Sequence, residues 1–295
     1  MRPLVTIVTP SLNQGRFIRE AIESVLTQTY PRIEYLVMDG GSTDETVSIL
    51  KEYGSRVAWV SEPDAGQADA VNRGWQRGHG DIVAYLNSDD AYFPTSVERA
   101  VEALRAHPDA PGVYGNGYHT DAGGQIMASY PTEDFSVARL AETCFICQPT
   151  VFLRHDAVRR VAYMDPSLNF CMDYDLWIRL GRLAPLHFIP DYLAKSRLHS
   201  DTKTLGQRVP AHREILAMIR RHFGYVPPTW AYAYANAMTG SPIGATRSNP
   251  IVIANILTLT MITFVRYNIT VAPWRWRGWI RWIRQGAQRA RTPRG

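Results

Sequence analysis

The chain has 295 residues, of which 45% are hydrophobic and 20% are charged. This composition supports a large buried core and excludes collagen, a coiled coil or a mainly disordered chain as the architecture. Three cysteines, Cys144, Cys147 and Cys171, are too few for a disulfide framework. The opening residues, MRPLVTIVTP, do not resemble a signal peptide, so we expect a reducing, cytosol-facing location.

Basic and acidic residues are unevenly distributed. The formal net charge is +5, from 32 Lys and Arg against 27 Asp and Glu. Glu214 is the last acidic residue, and the residues after it include 11 arginines but no lysine. Residues 1–214 therefore carry 21 basic and 27 acidic groups. A mildly acidic first part and a purely basic second part predict two separate tasks, one of them at an anionic surface.

Strand-like and helix-like segments alternate over the first hundred residues. Short apolar runs predict strands at 4–9, 33–38, 57–61 and 82–86. Amphipathic spacing predicts helices at 16–27, 46–53, 65–78 and 95–106. This alternation predicts a parallel α/β sheet. Ligands of such sheets bind beyond the carboxyl ends of the strands, where polar segments at 10–13, 39–44 and 87–90 follow three predicted strands.

Later in the chain the pattern changes. Strand-like and helix-like pieces are mixed up to about residue 199. A helix is predicted at 211–222, followed by a Pro-Pro break and an apolar run at 251–265. We therefore expect an α/β domain over residues 1–210 and a helical, basic and aromatic region over residues 211–295.

Nucleotide binding, if present, must depend on the acidic loops. The sequence contains no GxxxxGK[ST], HExxH or GxSxG motif, and no GxGxxG after a predicted strand. Asp39 can accept hydrogen bonds from a base or a ribose, while Asp89 and Asp90 can hold a hard divalent cation that bridges a diphosphate. Helix capping is the alternative for Asp39, and it is the favoured interpretation of Asp44.

Four segments carry a more specific signal: VTIVTPSLNQGRFIREAIESVLTQTYPRIEYLVMDGGSTDET, SEPDAGQADAVNRGW, GDIVAYLNSDD and MDYDLWIRL. Together they resemble family 2 glycosyltransferases of the GT-A fold, from about Val5 to Lys203. The resemblance implies a Rossmann-like, mostly parallel mixed sheet flanked by helices. It also implies a nucleoside-diphosphate sugar donor, a Mn²⁺ or Mg²⁺ ion and inverting transfer.

The resemblance assigns nucleotide-binding roles to residues of three loops. Pro10 and Asn13 would shape the loop beneath the base, and Asp39 would bind the base or the ribose. Asp69 and Asn72 would face the nucleotide, and the alternative for these two is a solvated helix surface.

Asn87-Ser88-Asp89 stands where the family often has Asp-x-Asp. Asn87 and Ser88 are therefore assigned to the nucleotide sugar, and Asp89 becomes the principal metal ligand. The amide at position 87 leaves open how strongly a metal binds. His199 is the second candidate ligand, and a structural, hydrogen-bonded histidine is the alternative.

Met172-Asp173 occupies the place of the family's Glu-Asp pair, which makes Asp173 the expected catalytic base. Inverting transfer needs one carboxylate that takes the proton of the acceptor hydroxyl. Asp175 is interpreted as an acid that complements the dipole at the start of a helix. Arg197 and Lys203 are predicted to meet the diphosphate.

The Cys144-x-x-Cys147 pair is interpreted as structural. Neither a second CxxC nor a nearby HxxxH accompanies it, as a zinc site would require. Residues 148–150, beside this pair, are predicted to line the acceptor side.

Four of the eight tryptophans lie among arginines near the end of the chain. At helical spacing the indoles share one face and the arginines gather on another, as in helices at membrane interfaces. The predicted membrane contacts are Trp274, Trp276, Trp279, Arg281 and Trp282, and the alternative is a helix packed on the domain. As a helix, residues 251–265 span about 22 Å, short of a hydrocarbon core of roughly 30 Å. This run is predicted to be interfacial, re-entrant or buried in an oligomer.

These observations predict a metal-dependent inverting glycosyltransferase at the cytoplasmic face of a membrane, peripheral or monotopic. The expected acceptor is lipid-linked or a membrane-bound glycan in polysaccharide or glycolipid synthesis, and a homo-oligomer is compatible with this prediction. Three alternatives stay open: a sugar-nucleotide nucleotidyltransferase, a nucleic-acid or anionic-surface binding protein, and a non-catalytic scaffold. Nucleic acid is not the expected partner, because it leaves the acidic loops unexplained.

Overall fold

The computed structural model describes residues 2–199, 202, 206–240 and 250–270. The chain forms two compact units. Unit 1 comprises Met1–Val137 and Cys144–Thr202, and unit 2 comprises Ala138–Thr143 and the chain from Lys203 onward. The second unit begins slightly before the expected residue 211 and includes a short segment from the middle of the chain.

Unit 1 contains a nine-stranded mixed sheet. Its strands are β1 (Val5–Ser11), β2 (Ile33–Asp39), β3 (Ala58–Ser61), β4 (Ile82–Tyr85), β5 (Ala91–Tyr92), β6 (Gly112–Thr120), β7 (Ile126–Ser129), β8 (Phe152–Arg154) and β9 (His187–Arg197). Their order is β3-β2-β1-β4-β8-β6-β9-β5, with β7 paired to β6. Strands β3-β2-β1-β4 and the pair β6-β9 are parallel, and the other pairs are antiparallel. The predicted α/β fold with a mixed sheet is confirmed.

Helices flank this sheet. They are α1 (Ile18–Leu26), α2 (Thr46–Glu52), α3 (Gln67–Arg77), α4 (Ser96–Ala106), α5 (Val137–Leu140, at the division of the units), α6 (His155–Arg160) and α7 (Met172–Gly181). Helix α1 shows why they dock: its buried residues Ile18, Ala21, Ile22 and Val25 share one face and join the core of the sheet. In α3, Gly74 lies against Val8 and Met38, where any larger residue would collide, so the helix approaches the sheet closely.

Unit 2 contains three longer helices, α8 (Arg208–Phe223), α9 (Pro228–Met238) and α10 (Pro250–Asn268). Helix α9 packs against both of the others. Asn268 fixes the end of α10, because its side-chain amide accepts the Val226 N–H and donates to the Val226 carbonyl, each at 2.9 Å.

Helix α10 is the one described helix that is long and apolar enough to cross a membrane, judged by length and composition alone. Its mean hydropathy is 1.5 over an 18-residue window, and 22% of that window is buried within the structure. Buried core helices of soluble proteins pass the same test, so this property by itself is weak support for a membrane span.

The eight elements predicted in the first hundred residues are all present, with ends that differ by a few residues. Strands β6 and β9 extend well beyond the short apolar pieces seen in the sequence. They pair with each other through two register shifts. Strands paired in this way do not show the regular alternation of apolar and polar residues by which a strand is predicted from a sequence. The sequence also gave no sign of α9, because its apolar residues surround the whole helix instead of one face.

Candidate active site

The loop between β2 and α2 is organised around Asp39. This carboxylate is buried and accepts the Ser42 N–H at 2.9 Å, the Ser42 hydroxyl at 2.5 Å and the Ser61 hydroxyl at 2.6 Å. The Gly41 N–H adds a longer bond of 3.2 Å. Asp39 therefore lies at the predicted edge of the sheet, and its hydrogen bonds hold its own loop in place.

The turn after β1 is joined to the same loop. Asn13 has a positive φ of 54°, a conformation that asparagine tolerates better than most residues. Its side-chain oxygen accepts the Thr43 N–H at 2.9 Å, and its N–H donates to the Ser42 hydroxyl at 2.7 Å. Pro10 is buried within β1, opposite Met38 of β2. The two predicted base-loop residues thus shape this edge together.

The two polar residues predicted on α3 make contacts within the protein. Asp69 accepts the Ala65 N–H at 3.1 Å and lies 3.8 Å from the Arg73 guanidinium. Asn72 donates to the Met164 carbonyl at 2.9 Å and accepts the Met164 N–H at 3.0 Å. Neither residue is a merely solvated surface group, and Asn72 clearly fixes the segment around Met164.

The amide of Asn87 is the centre of a hydrogen-bond network at the end of β4. Its oxygen accepts from Gln67 Nε2 at 2.6 Å, while its nitrogen donates to Gln148 Oε1 at 3.0 Å and Asp90 Oδ2 at 3.2 Å. Gln148 also donates to the Tyr85 carbonyl at 3.0 Å. Asn87 therefore connects three separate parts of the chain, and its oxygen is engaged by Gln67.

Asp89 and His199 are brought together from loops far apart in the sequence. His199 Nε2 lies 3.0 Å from Asp89 Oδ2. The imidazole is nearly buried and lies against Phe17, with ring centroids 4.8 Å apart and the rings tilted by 41°, whereas the carboxylate stays 20% exposed. The two predicted metal ligands are thus adjacent, and the carboxylate has access to solvent.

Arg197 supports the backbone of the Asp89 loop. It is buried, and its guanidinium donates to the Asp89 carbonyl at 2.9 Å, to the Ala122 carbonyl at 2.9 Å and to the Glu20 carboxylate. Its backbone N–H donates to Asp90 Oδ1 at 2.9 Å. The predicted contact of Arg197 with a diphosphate would have to compete with all these bonds.

The second acid of the loop is enclosed. Asp90 and Ser88 are both buried. Burial, followed by the negative charge of Asp89, raises the pKa of Asp90 well above its usual range, although the Arg197 N–H and the Asn87 amide oppose the shift. Asp89 is therefore the carboxylate of this pair that a ligand can reach.

Asp173 lies in the first turn of α7, where its carboxylate accepts the Tyr174 N–H at 2.7 Å. Burial, and then the neighbouring Asp173 charge, raise the pKa of Tyr85 and of the Cys144 thiol, so this carboxylate lies near the end of β4. Asp175 is different: it is buried and bonded to Arg179 Nε at 2.7 Å.

The cysteine pair and the residues beside it are part of the core. Cys147 is buried and Cys144 is half-buried, and both are free thiols. Thr150 is also buried and bonds to the Gly115 backbone. The bonds of Gln148 and Thr150 therefore support the site. The sequence had predicted that these residues line the acceptor side.

Some residues that support the site were not predicted from the sequence, and some predicted contacts lie outside the described residues. Gln67 stands within a motif segment and could have been noticed, but Glu20 and Phe17 read as ordinary residues of an amphipathic helix. Outside the described residues lie the remaining predicted contacts: Lys203, Trp274, Trp276, Trp279, Arg281 and Trp282.

Comparisons with known proteins point to one family. Residues 6–161 match the family described as Glycosyl transferase family 2. The chain belongs to this family. A relative in Rickettsia prowazekii, an uncharacterised glycosyltransferase, is 30% identical over 68% of this chain and 66% of its own length. Chondroitin synthase of Escherichia coli is 27% identical over 69% of this chain, but the match spans only 30% of that protein.

Two solved structures share the fold. Staphylococcus aureus TarS 1-349, in complex with UDP-GlcNAc, has a TM-score of 0.61 at 14% identity and is matched over 90% of this chain and 92% of its own. The mannosyltransferase PcManGT of Pyrobaculum calidifontis, in complex with GDP-Man and Mn²⁺, also has a TM-score of 0.61, at 17% identity, over 90% and 81% of the two chains. The chain therefore has the GT-A architecture of these structures.

The donor atoms at the site fit a divalent ion in part. A carboxylate oxygen and an imidazole nitrogen, from Asp89 and His199, suit a metal such as Mn²⁺. Within the described ranges no group of three or more His, Cys, Asp or Glu residues could hold a metal ion. An ion held by these two residues would have to take its other ligands from a diphosphate and from water.

Proposed function

We propose that this protein is a metal-dependent inverting glycosyltransferase. It transfers a sugar from a nucleoside-diphosphate sugar to a lipid-linked or membrane-bound glycan in polysaccharide or glycolipid synthesis. The observation that carries this proposal is the contact of 3.0 Å between Asp89 and His199, at the same sheet edge as Asp39 and with Asp173 near the end of β4. Acids and donors from separate loops thus surround the place where α/β sheets bind ligands.

Other proteins of this fold and family support the choice of donor. Two similar structures are complexes, one with UDP-GlcNAc and the other with GDP-Man and Mn²⁺. Several relatives are named as chondroitin or hyaluronan synthases, which favours a saccharide acceptor. A nucleotidyltransferase receives no comparable support.

Asp173 is the proposed catalytic base. Its carboxylate would take the proton of the acceptor hydroxyl as that oxygen forms its bond to the anomeric carbon. The bond from the anomeric carbon to the diphosphate breaks at the same time, and its electron pair leaves with the diphosphate. Attack from the opposite side inverts the configuration at that carbon. Asp175 takes no part in this step, because its carboxylate is buried against Arg179.

Asp89 and His199 are the residues that would hold the ion, which when bound offsets the negative charge of the diphosphate. Arg197 keeps the Asp89 backbone in place for this task. Asp39, Asn13 and Pro10 would form the floor beneath the nucleoside. Asp69, Asn72, Asn87 and Ser88 are proposed to surround the nucleotide sugar, through the loops that they hold as much as by direct contact.

The proposed location is the cytoplasmic face of a membrane. Seven arginines and four tryptophans, but no acid, occur within residues 271–295. Such a composition favours an anionic lipid surface, where indoles and guanidinium groups both find partners. Lys203 is retained as a diphosphate contact, and Trp274, Trp276, Trp279, Arg281 and Trp282 as lipid contacts.

A donor screen tests the proposed reaction. Release of nucleoside diphosphate from a panel of sugar nucleotides would be measured with Mn²⁺, with Mg²⁺ and with EDTA, using membrane extract as the source of acceptor. We expect release with one donor, its loss in EDTA, and a decrease of about a hundredfold or more for Asp173→Asn. Unchanged transfer by this variant would show that another residue is the base.

Asp175→Asn is the matched control, since it makes the same chemical change two residues away. It removes a charge from the buried pair with Arg179, so we expect a lower melting temperature. Activity per folded molecule should change far less than in Asp173→Asn. An equal loss in both variants would point to damage of α7 and not to the loss of a base.

A further inference from the structure

Helix α10 has one face that belongs to the core of unit 2. The buried residues repeat at helical spacing and include two threonines and an asparagine: Ile256, Thr260, Thr263, Phe264 and Asn268. This face packs with α9, and the Asn268 bonds to Val226 hold its end. The helix is therefore anchored to its own unit from Ile256 to Asn268.

The opposite face of α10 is exposed and aliphatic. Ile251 is 71% exposed, Ile262 is 57% exposed and Ile269, just after the helix, is 73% exposed. Ile251 and Ile262 fall on one line along the helix, with the exposed polar residues Asn255 and Thr258 between them. Met261 lies beside Ile262 at 40% exposure. Several exposed aliphatic side chains on one helix mark a site of interaction with a partner or a membrane.

The charges around this face indicate which partner it fits. Arg266 is exposed next to Ile262 on the same side of the helix. Every charged residue after Glu214 is an arginine, and residues 271–295, which directly follow the described chain, contribute seven of them. An exposed aliphatic face that carries Arg266, in a part of the sequence whose charges are all positive, is complementary to an anionic lipid surface.

We propose that α10 lies in the plane of an anionic membrane, with Ile251, Ile262 and Ile269 inserted at the boundary between headgroups and acyl chains. The proposal rests on the membrane location proposed above, but not on the transfer reaction. Arg266 would reach the lipid phosphates, and the face packed on α9 would remain within the protein. The helix would enter the bilayer from one side and would not cross it.

Two other occupants fit these features less well. A second copy of the chain would bring two wholly basic segments together, and like charges oppose such an association. A membrane-spanning α10 would carry the guanidinium of Arg266 into or next to the hydrocarbon, at a cost of several kcal/mol. It would also have to give up the contacts of its buried face with α9.

Vesicle flotation of the full chain tests this proposal. Binding would be measured on vesicles of phosphatidylcholine with phosphatidylglycerol, and on phosphatidylcholine alone. The proposal expects binding to the anionic vesicles and a decrease of about tenfold or more for Ile262→Glu, since the burial of one isoleucine side chain is lost. Ile126→Glu is the matched control, because Ile126 of β7 is equally aliphatic and 53% exposed; its binding should be unchanged.

A second variant and a salt series complete the test. Ile269→Glu should weaken flotation in the same way, and circular dichroism should show both variants folded. High salt screens the arginines but not the buried isoleucines, so Ile262→Glu should lower the binding that remains at high salt. If both glutamate variants float with the vesicles as well as the wild type does, the proposal is overturned. Resistance of bound protein to alkaline extraction overturns it too, as does a dimer that the variants abolish without any effect on flotation.

Discussion

The two acidic loops at the edge of the sheet look alike in the sequence but are built differently. The first, at residues 39–44, is held by its own residues and by adjacent strands, since Asp39 accepts from Ser42 and from Ser61 on the neighbouring strand. The second, at residues 87–90, is held by side chains that are distant in sequence, from Gln67 to Arg197. The comparison teaches that the same acidic signal can mark a loop held by adjacent elements or a candidate ligand site assembled by contacts up to 110 residues apart in the sequence.

The largest expected effect comes from the exposed carboxylate of the second loop. Asp89→Ala should reduce nucleoside diphosphate release by about a hundredfold to a thousandfold, because it removes a charged group from the site. It should also weaken Mn²⁺ binding in a calorimetric titration. Asp109→Ala, which removes an exposed loop carboxylate, is the control and should leave both measurements unchanged. An active Asp89→Ala would refute the proposed ligand set.

The buried cation behind the second loop should matter mainly for stability. Arg197→Gln removes donors to two carbonyls and to Glu20, and we expect the free energy of unfolding in urea to fall by about 3 kcal/mol. Glu20→Gln removes only the half-exposed partner and should cost about 1 kcal/mol. Equal costs would mean that the carbonyl bonds at Asp89 and Ala122 contribute little.

Restoring the family's usual acid should not improve the second loop. Asn87→Asp loses the donations to Gln148 and Asp90 and places two carboxylates together, so we expect a loss of about 1–2 kcal/mol in unfolding free energy. Mn²⁺ affinity should not rise, because the oxygen at this position is already engaged by Gln67. A clear gain in Mn²⁺ affinity would contradict the role that we assign to the amide network.

The smallest effect is expected in the first loop. Burial acts to raise the pKa of Asp44, but hydrogen bonds from Thr46 and Gly15 outweigh it and lower the pKa. A lowered pKa means that these bonds stabilise the fold above the unfolded pKa of about 4 and are lost as the pH falls through the folded value. Asp44→Ala should therefore cost about 1 kcal/mol at neutral pH.

The same experiment repeated at lower pH sharpens this prediction. The difference between Asp44→Ala and the wild type should shrink as the pH falls below about 4, where the wild-type carboxylate also loses its charge. Urea unfolding at several pH values would measure it. A difference that stays constant with pH would show that the methylene contacts of Asp44 matter more than its charge.

Much of the fold was predictable because local patterns carry it. The strands and helices of the first hundred residues follow from apolar runs and amphipathic spacing, and their order implies a sheet whose ligands bind at one edge. The long strands β6 and β9 were not predictable, since their stability comes from pairing with each other across a bulged register. The sequence likewise located Asp89, His199 and Asp173 as candidates, but not the distances between them.

The sequence by itself determined the alternation of strands and helices, the family and the positions of the acidic loops. Only the tertiary structure decided what each polar side chain is bonded to. Arg197, predicted to meet a diphosphate, anchors the Asp89 loop, and Asn72 holds Met164. The physical reason is that a buried polar group must find a partner, and for these residues the partner lies far away in the sequence.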